Sequence, residues 1–301
     1  MRLLFIFLDG IGLGPDDLLT NPLARAAMPR LESLLEGRRL TAPAAPYVNG
    51  RAALLALDPR LGVAGLPQSA TGQAVLLTGR NVPAEIGEHY GPKPDERIAA
   101  ILREDNLFKR LSAARKTAAL LNAYPPRYFH GVNSGKRLYS SIPLAVTSAG
   151  LPLFTETEFF TGQALSADFT GQGWRDMLGY PQAPVLTARD AGRKLAELAS
   201  RYDFSFFEYW ASDYAGHKQD MDDALRQMSV FDAVLGGLLD SLPDDLLVLV
   251  TSDHGNMEDL STRRHTLADV PCLLIGASHR DFARPLRTLQ DVTPAILNAL
   301  L

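Results

Sequence analysis

The chain has 301 residues, 46% hydrophobic and 21% charged, enough for one large α/β domain or a core with a modest insertion. That composition excludes a disordered or fibrous chain, and 30 basic against 34 acidic residues (net −4), with no basic stripe, argue against nucleic acid or an anionic membrane surface as partner. A single cysteine, Cys272, excludes an intrachain disulfide.

In chain order, residues 3–8 form an apolar run stopped by Asp9 and Gly10, as expected of a buried parallel strand. The run superficially resembles a secretory signal, but it holds only six apolar residues and no small-residue cleavage site follows. No later stretch approaches the ~18 apolar residues that span a bilayer. A soluble, cytoplasmic protein is expected. Residues 28–36 have helical period, and residues 41–66, rich in Ala, Pro and Gly, read as a loop leading into a helix near Ser69. Helical period returns over 94–114, and a strand is expected over 117–122.

Residues 125–185 are rich in Gly, Thr, Pro and aromatics and show no clear period. A structureless loop of that length inside a compact core is implausible. The expected organisation is therefore a core of residues 1–125 and 186–301, with a small inserted cap or substrate-specificity region at 126–185. Phe159, Phe160 and Trp174 are expected to form the cap's own core. Beyond it come a helix over 188–202, a strand over 204–210, a helix over 221–242, strands over 246–251 and 272–275, and a helix over 286–300. Cys272 falls in the run Val270-Pro271-Cys272-Leu273-Leu274-Ile275 and reads as a buried structural thiol. Alternating strands and helices predict a doubly wound, mostly parallel sheet with helices on both faces.

In such a sheet, ligands bind outside the carboxyl ends of the strands. Asp9 follows the first strand, Asp213 and His217 follow the 204–210 strand, and Asp253 and His254 follow the 246–251 strand, with His265 shortly beyond. Asp213 and His217, at i and i+4, share one face of a helical turn and can share an ion. Gly216 between them allows close backbone approach. The plainer alternatives are an acid and a histidine that only cap a helix, and an Asp253 cap with Gly255 at positive φ. Taken together, Asp9, Asp253 and His254, with Asp213, His217 and His265, make an N/O donor set suited to Zn²⁺ or Mn²⁺ rather than Ca²⁺. A structural zinc knuckle is excluded without cysteine ligands, and incomplete protein ligand sets mark catalytic sites.

A further element is Leu66-Pro67-Gln68-Ser69-Ala70-Thr71-Gly72-Gln73, then an apolar run and Thr78-Gly79-Arg80. At a helix start, Ser69 would meet amide donors and a dipole that favour a phosphoryl anion; the alternative is a simple serine N-cap.

Asp9-Gly10, Ser69-x-x-Gly72-Gln73, Asp213-x-x-Gly216-His217, Asp253-His254-Gly255-Asn256 and His265-Thr266 occur in an order that resembles the metalloenzyme group of the alkaline phosphatase superfamily, which includes cofactor-independent phosphoglycerate mutase and phosphopentomutase. Leu289-Gln290-Asp291-Val292-Thr293-Pro294 is similar to the helix that closes those domains. The resemblance implies an alkaline-phosphatase-like core binding two divalent ions, Zn²⁺ or Mn²⁺. One would be held by Asp9, Ser69, Asp253 and His254, the other by Asp213, His217 and His265. It also implies Ser69, rather than Thr71, as the nucleophile that passes through a phosphoserine.

The expected activity is a phosphatase or phosphodiesterase acting on a small phosphorylated metabolite. A phosphomutase is the enzymatic alternative, and a catalytically silent, metal-stabilised binding protein the alternative of another class. Two features depart from the relatives: Gln73 stands where a histidine is usual, and the insert offers only Arg127, His130, Lys136, Arg137 and Arg175 in place of a denser cationic set. No Cys/Ser-x-Pro-x-Arg stretch exists, which argues against a sulfatase. Arg80, His89, Arg263 and Arg264 are candidate substrate-binding residues because they adjoin these elements in sequence.

Overall fold

A computed structural model describes residues 1–301. Seven strands form one sheet: β1 (Arg2–Leu8), β2 (Tyr47–Val48), β3 (Ala52–Leu57), β4 (Ala118–Leu120), β5 (Phe204–Tyr209), β6 (Leu246–Thr251) and β7 (Val270–Gly276). Their order is β2-β3-β7-β6-β1-β5-β4. Central β1 runs parallel to both β5 and β6, and β4 runs parallel to β5. β7 is antiparallel to β6 and β3 antiparallel to β7, so β3 again runs with β1; β2 is antiparallel to β3. Only β2 and β7 oppose the common direction, and the sheet is mostly parallel, as expected.

Strand side chains alternate between faces. Phe5, Phe7 and Phe206 enter one buried cluster of 41 residues, while Leu4, Ile6 and Phe207 enter another of 40. Near-equal clusters mean that neither face is left to solvent, which is why β1 and β6 read as near-continuous apolar runs rather than alternating ones, and why even Ser205 and Glu208 of β5 are buried. The helices Ser69–Thr78, Glu96–Glu104, Leu107–Ala113, Ser141–Ser148 and Val292–Leu300 cover the first face. Pro29–Leu34, Ala188–Ala199 and Met221–Asp240 cover the second. Cys272 is fully buried on β7, and burial pushes its thiol pKa up, as expected of an inert structural cysteine. No helix is long and apolar enough to cross a membrane.

Some elements differ from the reading above. The stretch 41–66 contains β2 and β3. The β3 sequence Ala-Ala-Leu-Leu-Ala-Leu lacks β-branched and aromatic residues; pairing with β7, from Ala52↔Ile275 to Leu57↔Val270, makes it a strand. The expected helix over 94–114 is two helices. Asp105 is extended, and buried Asn106 accepts from the Lys109 amide and so caps a new start. The last helix begins only at Val292, after a 3-10 turn at Leu289–Asp291.

The segment 126–185 is not uniform. Its helix Ser141–Ser148 buries Ile142, Ala145 and Val146 in the first cluster, and Ser141 Oγ donates to the Ala70 carbonyl at 3.2 Å. Further on, Ala123, Phe159, Ala164, Trp174 and Ala183 form a separate cluster of five, with the Phe159 and Trp174 rings 4.5 Å apart. Phe160 is more exposed and lies against its rim.

Candidate metal centre

The strand-end residues converge beyond the carboxyl ends of β1, β5 and β6. At the end of β1 the chain turns through Gly10 in the left-handed region (φ 67°); a Cβ there would lie 2.8 Å from Asp213 Cβ. Glycine thereby lets the helix Ala211–Lys218 press its Asp213 against the Asp9 loop. Gly72 plays a similar part in the helix Ser69–Thr78, since its Cβ would lie 2.9 Å from Asp253 Cβ. Ser212, also on the first of these helices, donates its hydroxyl to the Asp9 carbonyl at 2.6 Å.

Two groups of donors result. Asp213, His217 and His265 place ligand-type atoms within 4.8 Å of one another, and so do Asp9, Asp213 and His254. His217 Nε2 lies 3.2 Å from Asp213 Oδ2 and 3.3 Å from His265 Nε2. His254 Nε2 lies 3.4 Å from Asp9 Oδ1, 3.6 Å from Asp253 Oδ2 and 3.0 Å from Ser69 Oγ. Asp213 belongs to both groups, whereas the resemblance divides the residues into separate sets.

Each imidazole is turned by its other nitrogen. Nδ1 of His217 meets the Arg263 carbonyl at 2.7 Å, and Nδ1 of His265 meets the Pro67 carbonyl at 2.8 Å. Nδ1 of His254 meets the Gly255 carbonyl at 3.3 Å. Donation from Nδ1 leaves Nε2 of the neutral His254 and His265 rings as an inward-facing acceptor, the arrangement that metal-binding histidines require, whereas Nε2 of His217 donates to Asp213.

The electrostatics of these groups depend on burial. Burial, then the charge of Asp253, holds the Asp9 carboxyl well above its usual range. Burial, then Asp213, raises Asp253 to about 7. Burial pulls His254 down and lowers His265 to about 4, so both rings are neutral at neutral pH. Asp213 moves the other way: burial opposes its charge, but the hydrogen bond from His217 and the nearby His254 prevail and lower it. Its hydrogen bond in turn raises His217.

These residues fit a bound cation. Asp9 Oδ1 is buried with no hydrogen-bond partner. Asp9 and Asp253 share the Gln73 amide, which donates at 3.5 and 3.3 Å, and Asp253 gains only long contacts of 3.4 Å from the Gly10 amide and the Ser252 hydroxyl. Packing two buried carboxylates together without a cation is costly, and positive charge there would relieve both. Gln73, the departure from the relatives, thus donates to both carboxylates.

Ser69 begins its helix and is 5% exposed. Thr71 does not face the cluster; its hydroxyl donates to the Gln68 and Tyr90 carbonyls and accepts from the Tyr90 amide.

Of the candidate substrate-binding residues, Arg80 is carried away from this centre. Arg80 lies past the far end of the 10-residue helix Ser69–Thr78, roughly 15 Å along its axis from Ser69, and pairs with Glu85 and Glu104. Arg263 contributes its carbonyl to His217 while its guanidinium donates to Gln219. Arg264 is exposed, and its side chain makes no hydrogen bond. His89 sits in a groove near Gln68, with Nε2 3.2 Å from the Arg60 carbonyl.

Three residues have a place at the centre that the sequence reading did not assign. Asn256 donates to Asp213 Oδ1 at 2.6 Å and to its carbonyl at 3.1 Å. Glu258, 1% exposed, accepts from the Gly12 amide at 3.0 Å, the Asn256 amide at 2.7 Å and the Thr266 hydroxyl, tying the loop that carries Asp9 to both ends of the β6–β7 connection that carries His254 and His265. Glu208, buried at the end of β5, accepts from Tyr124 at 3.3 Å and is raised to about 7, chiefly by burial. Polar residues in a loop buried throughout, as 251–258 is, were the available signal.

A family model described as the Metalloenzyme superfamily matches residues 146–301. A 2,3-bisphosphoglycerate-independent phosphoglycerate mutase of Moorella thermoacetica is 27% identical over 128 residues, 40% of this chain and 25% of the relative. A phosphopentomutase of Mycoplasmopsis pulmonis is 28% identical over 103 residues, 34% of this chain and 26% of the relative. The matched part is thus about a quarter of the length of these relatives. A solved Pyrococcus horikoshii protein superposes with a TM-score of 0.58 at 16% identity, covering 99% of this chain and 96% of its own, a likeness of fold.

Proposed function

The chain belongs to the Metalloenzyme superfamily, and from that premise we propose that it is a metal-dependent phosphoryl-transfer enzyme that hydrolyses a small phosphate ester through Ser69. The observation that carries this reading is the position of Ser69 Oγ, 3.0 Å from His254 Nε2 at a helix start and beside a cluster of carboxylates and imidazoles.

Asp213, His217 and His265 would hold one divalent ion, and Asp9, Asp253, His254 and Ser69 the other, with Asp213 adjoining both. The mixed N/O donors suit Zn²⁺ or Mn²⁺. Bound ions would lower the pKa of an adjacent hydroxyl and stabilise negative charge on the transferring group.

The chain's own residues account for the remaining roles. The amides and dipole at the start of Ser69–Thr78 favour a phosphoryl anion beside the serine oxygen. Ser69 Oγ attacks phosphorus in line, forming the O–P bond as the ester's alcohol oxygen departs and takes up a proton. Asn256 and Glu258 hold the ligand loops in register. Gln73 keeps the Asp9 and Asp253 carboxylates together. Water then takes the phosphoryl group from the serine and frees inorganic phosphate.

A phosphomutase is the second reading, supported by the named activities of the curated relatives. Both readings share the phosphoserine and differ in whether water or a substrate hydroxyl accepts the group. Protein loaded with Mn²⁺ or Zn²⁺ and offered a panel of phosphomonoesters and diesters separates them. Hydrolysis releases free phosphate, while a mutase yields an isomerised ester without release. Full turnover in excess chelator after prolonged dialysis would contradict both.

A further inference from the structure

A groove of about 440 Å³ opens beside the start of the helix Ser69–Thr78. Its walls include Gly65, Gln68, Glu88, His89, Tyr90 and Gly91. It adjoins the proposed reaction centre: Gln68 immediately precedes Ser69, and a Cβ on Gly91 would lie 3.2 Å from the Ser69 amide nitrogen. Pro67, which links the wall residues Leu66 and Gln68, holds His265 of the metal centre through its carbonyl at 2.8 Å. A phosphoryl group at Ser69 therefore has this groove as a space for the alcohol it is esterified to.

Apart from Glu88, the polar side chains that the groove presents are neutral. The Gln68 side chain caps nothing, and neither its amide nor the Tyr90 hydroxyl is engaged within the chain. Each can both donate and accept. Glu88 is the charged wall residue, and its carboxylate is matched by Arg97 at 2.8 Å, which also holds Asp95 at 2.7 Å. Burial keeps His89 neutral, with its ring against the Arg60 carbonyl at 3.2 Å.

The neighbouring cations are engaged. Arg60 pairs with Asp58 and Asp269, Arg80 with Glu85 and Glu104. Lys93, two residues past Gly91, is exposed and is not part of the wall. A second anionic group on the substrate would enter beside Glu88 without a free partner, an uncompensated desolvation. A hydroxyl-bearing group would find both donors and acceptors.

Resting on the phosphoryl-transfer reading, we infer that this groove is the leaving-group subsite, that it selects phosphate esters of neutral polyhydroxy alcohols over carboxylated ones, and that Gln68 is the specificity-determining residue. The Gln68 amide and Tyr90 hydroxyl can each donate to and accept from a hydroxyl, while no free cation in the wall offsets the charge of a carboxylate beside Glu88.

The test compares glycerol phosphate with phosphoglycerate, using p-nitrophenyl phosphate as a ligand that makes no hydroxyl contact. Binding is measured by calorimetry on Mn²⁺-loaded Ser69→Ala protein, which keeps the groove but lacks the attacking oxygen. Glycerol phosphate is expected to bind at least tenfold tighter than phosphoglycerate. Adding Gln68→Lys places a cation in the groove and should narrow or reverse that ratio, with p-nitrophenyl phosphate giving the general gain in phosphate affinity against which the ratio is read. A loss caused only by altered folding would lower all three affinities alike. Equal or tighter binding of phosphoglycerate to the Ser69→Ala protein, or a ratio unmoved by Gln68→Lys, overturns the inference. Wild-type turnover is scored separately: retained ester discrimination without turnover contradicts the phosphoryl-transfer reading and leaves the subsite standing, and turnover without discrimination does the reverse.

Discussion

The loops at the carboxyl ends of β1, β5 and β6 and the segment 126–185 are built on opposite principles. In the loops, each imidazole is aimed by a backbone carbonyl, and Glu258 joins the loop after β1 to the one after β6. The later part of the segment has short helices and a five-residue apolar cluster of its own. Side chains whose positions are set by strands and backbone cannot drift without disturbing the sheet. A small peripheral cluster can change with little effect on the sheet beneath it. From this difference we propose that the chemistry resides in the loops and that the segment governs whether water or a substrate hydroxyl is the acceptor.

The sharpest way to break that division is through Asp213, which adjoins both donor groups. Asp213→Asn should lower turnover on the order of 10³-fold, read as kcat in saturating Mn²⁺. A change within tenfold would mean that the two groups do not act together. Asn256→Ala removes the side chain that donates to Asp213, and should weaken metal binding by about 10- to 100-fold in a competition titration, with the fold retained by circular dichroism.

On the other side of the comparison, Trp174→Ala opens the small cluster at a cost of about 3 kcal/mol to that unit. It should raise KM or alter the ratio of phosphate release to isomerisation while metal affinity stays within twofold. A matching fall in metal affinity would show that the two regions are coupled.

A pH experiment sharpens the account of the loops. Burial, then Asp213, raises Asp253 to about 7, above the ~3.9 of an unfolded aspartate. A folded value above the unfolded one means that metal-free protein loses stability from this group as pH rises from about 4 through 7. Metal-free Asp253→Asn should therefore melt at a higher temperature than metal-free wild type at pH 8, with the gap closing toward pH 4. Added Mn²⁺ should raise the wild-type Tm more than that of the variant. The smallest effect is expected at Arg80→Ala, whose guanidinium serves Glu85 and Glu104 far from Ser69; kcat/KM should stay within about twofold.

How much of this was legible in sequence follows from the same contrast. Largely apolar runs marked β1, β5 and β6 because both faces of the sheet are covered, and Asp9, Asp213 and Asp253 lie within a few residues of their ends. β3 was not legible, since Ala-Ala-Leu-Leu-Ala-Leu becomes a strand only through pairing with β7. Asn256 and Glu258 stood in plain view, but their partners lie far along the chain, and only the fold brings Gly12 and Asp213 to them. Adjacency in sequence misled at Arg80, because a helix of 10 residues carries its end away from its start.

The central claim is that the strand-end centre serves the Ser69 oxygen, and covalent trapping tests it most directly. Mn²⁺-loaded protein mixed with a turned-over ester is quenched in acid within milliseconds to seconds, digested and mapped by mass spectrometry. One phosphoryl group is expected on the peptide bearing Ser69, dependent on metal and absent from Ser69→Ala. Phosphorylation of another residue, or full metal-dependent turnover by Ser69→Ala, would contradict the account.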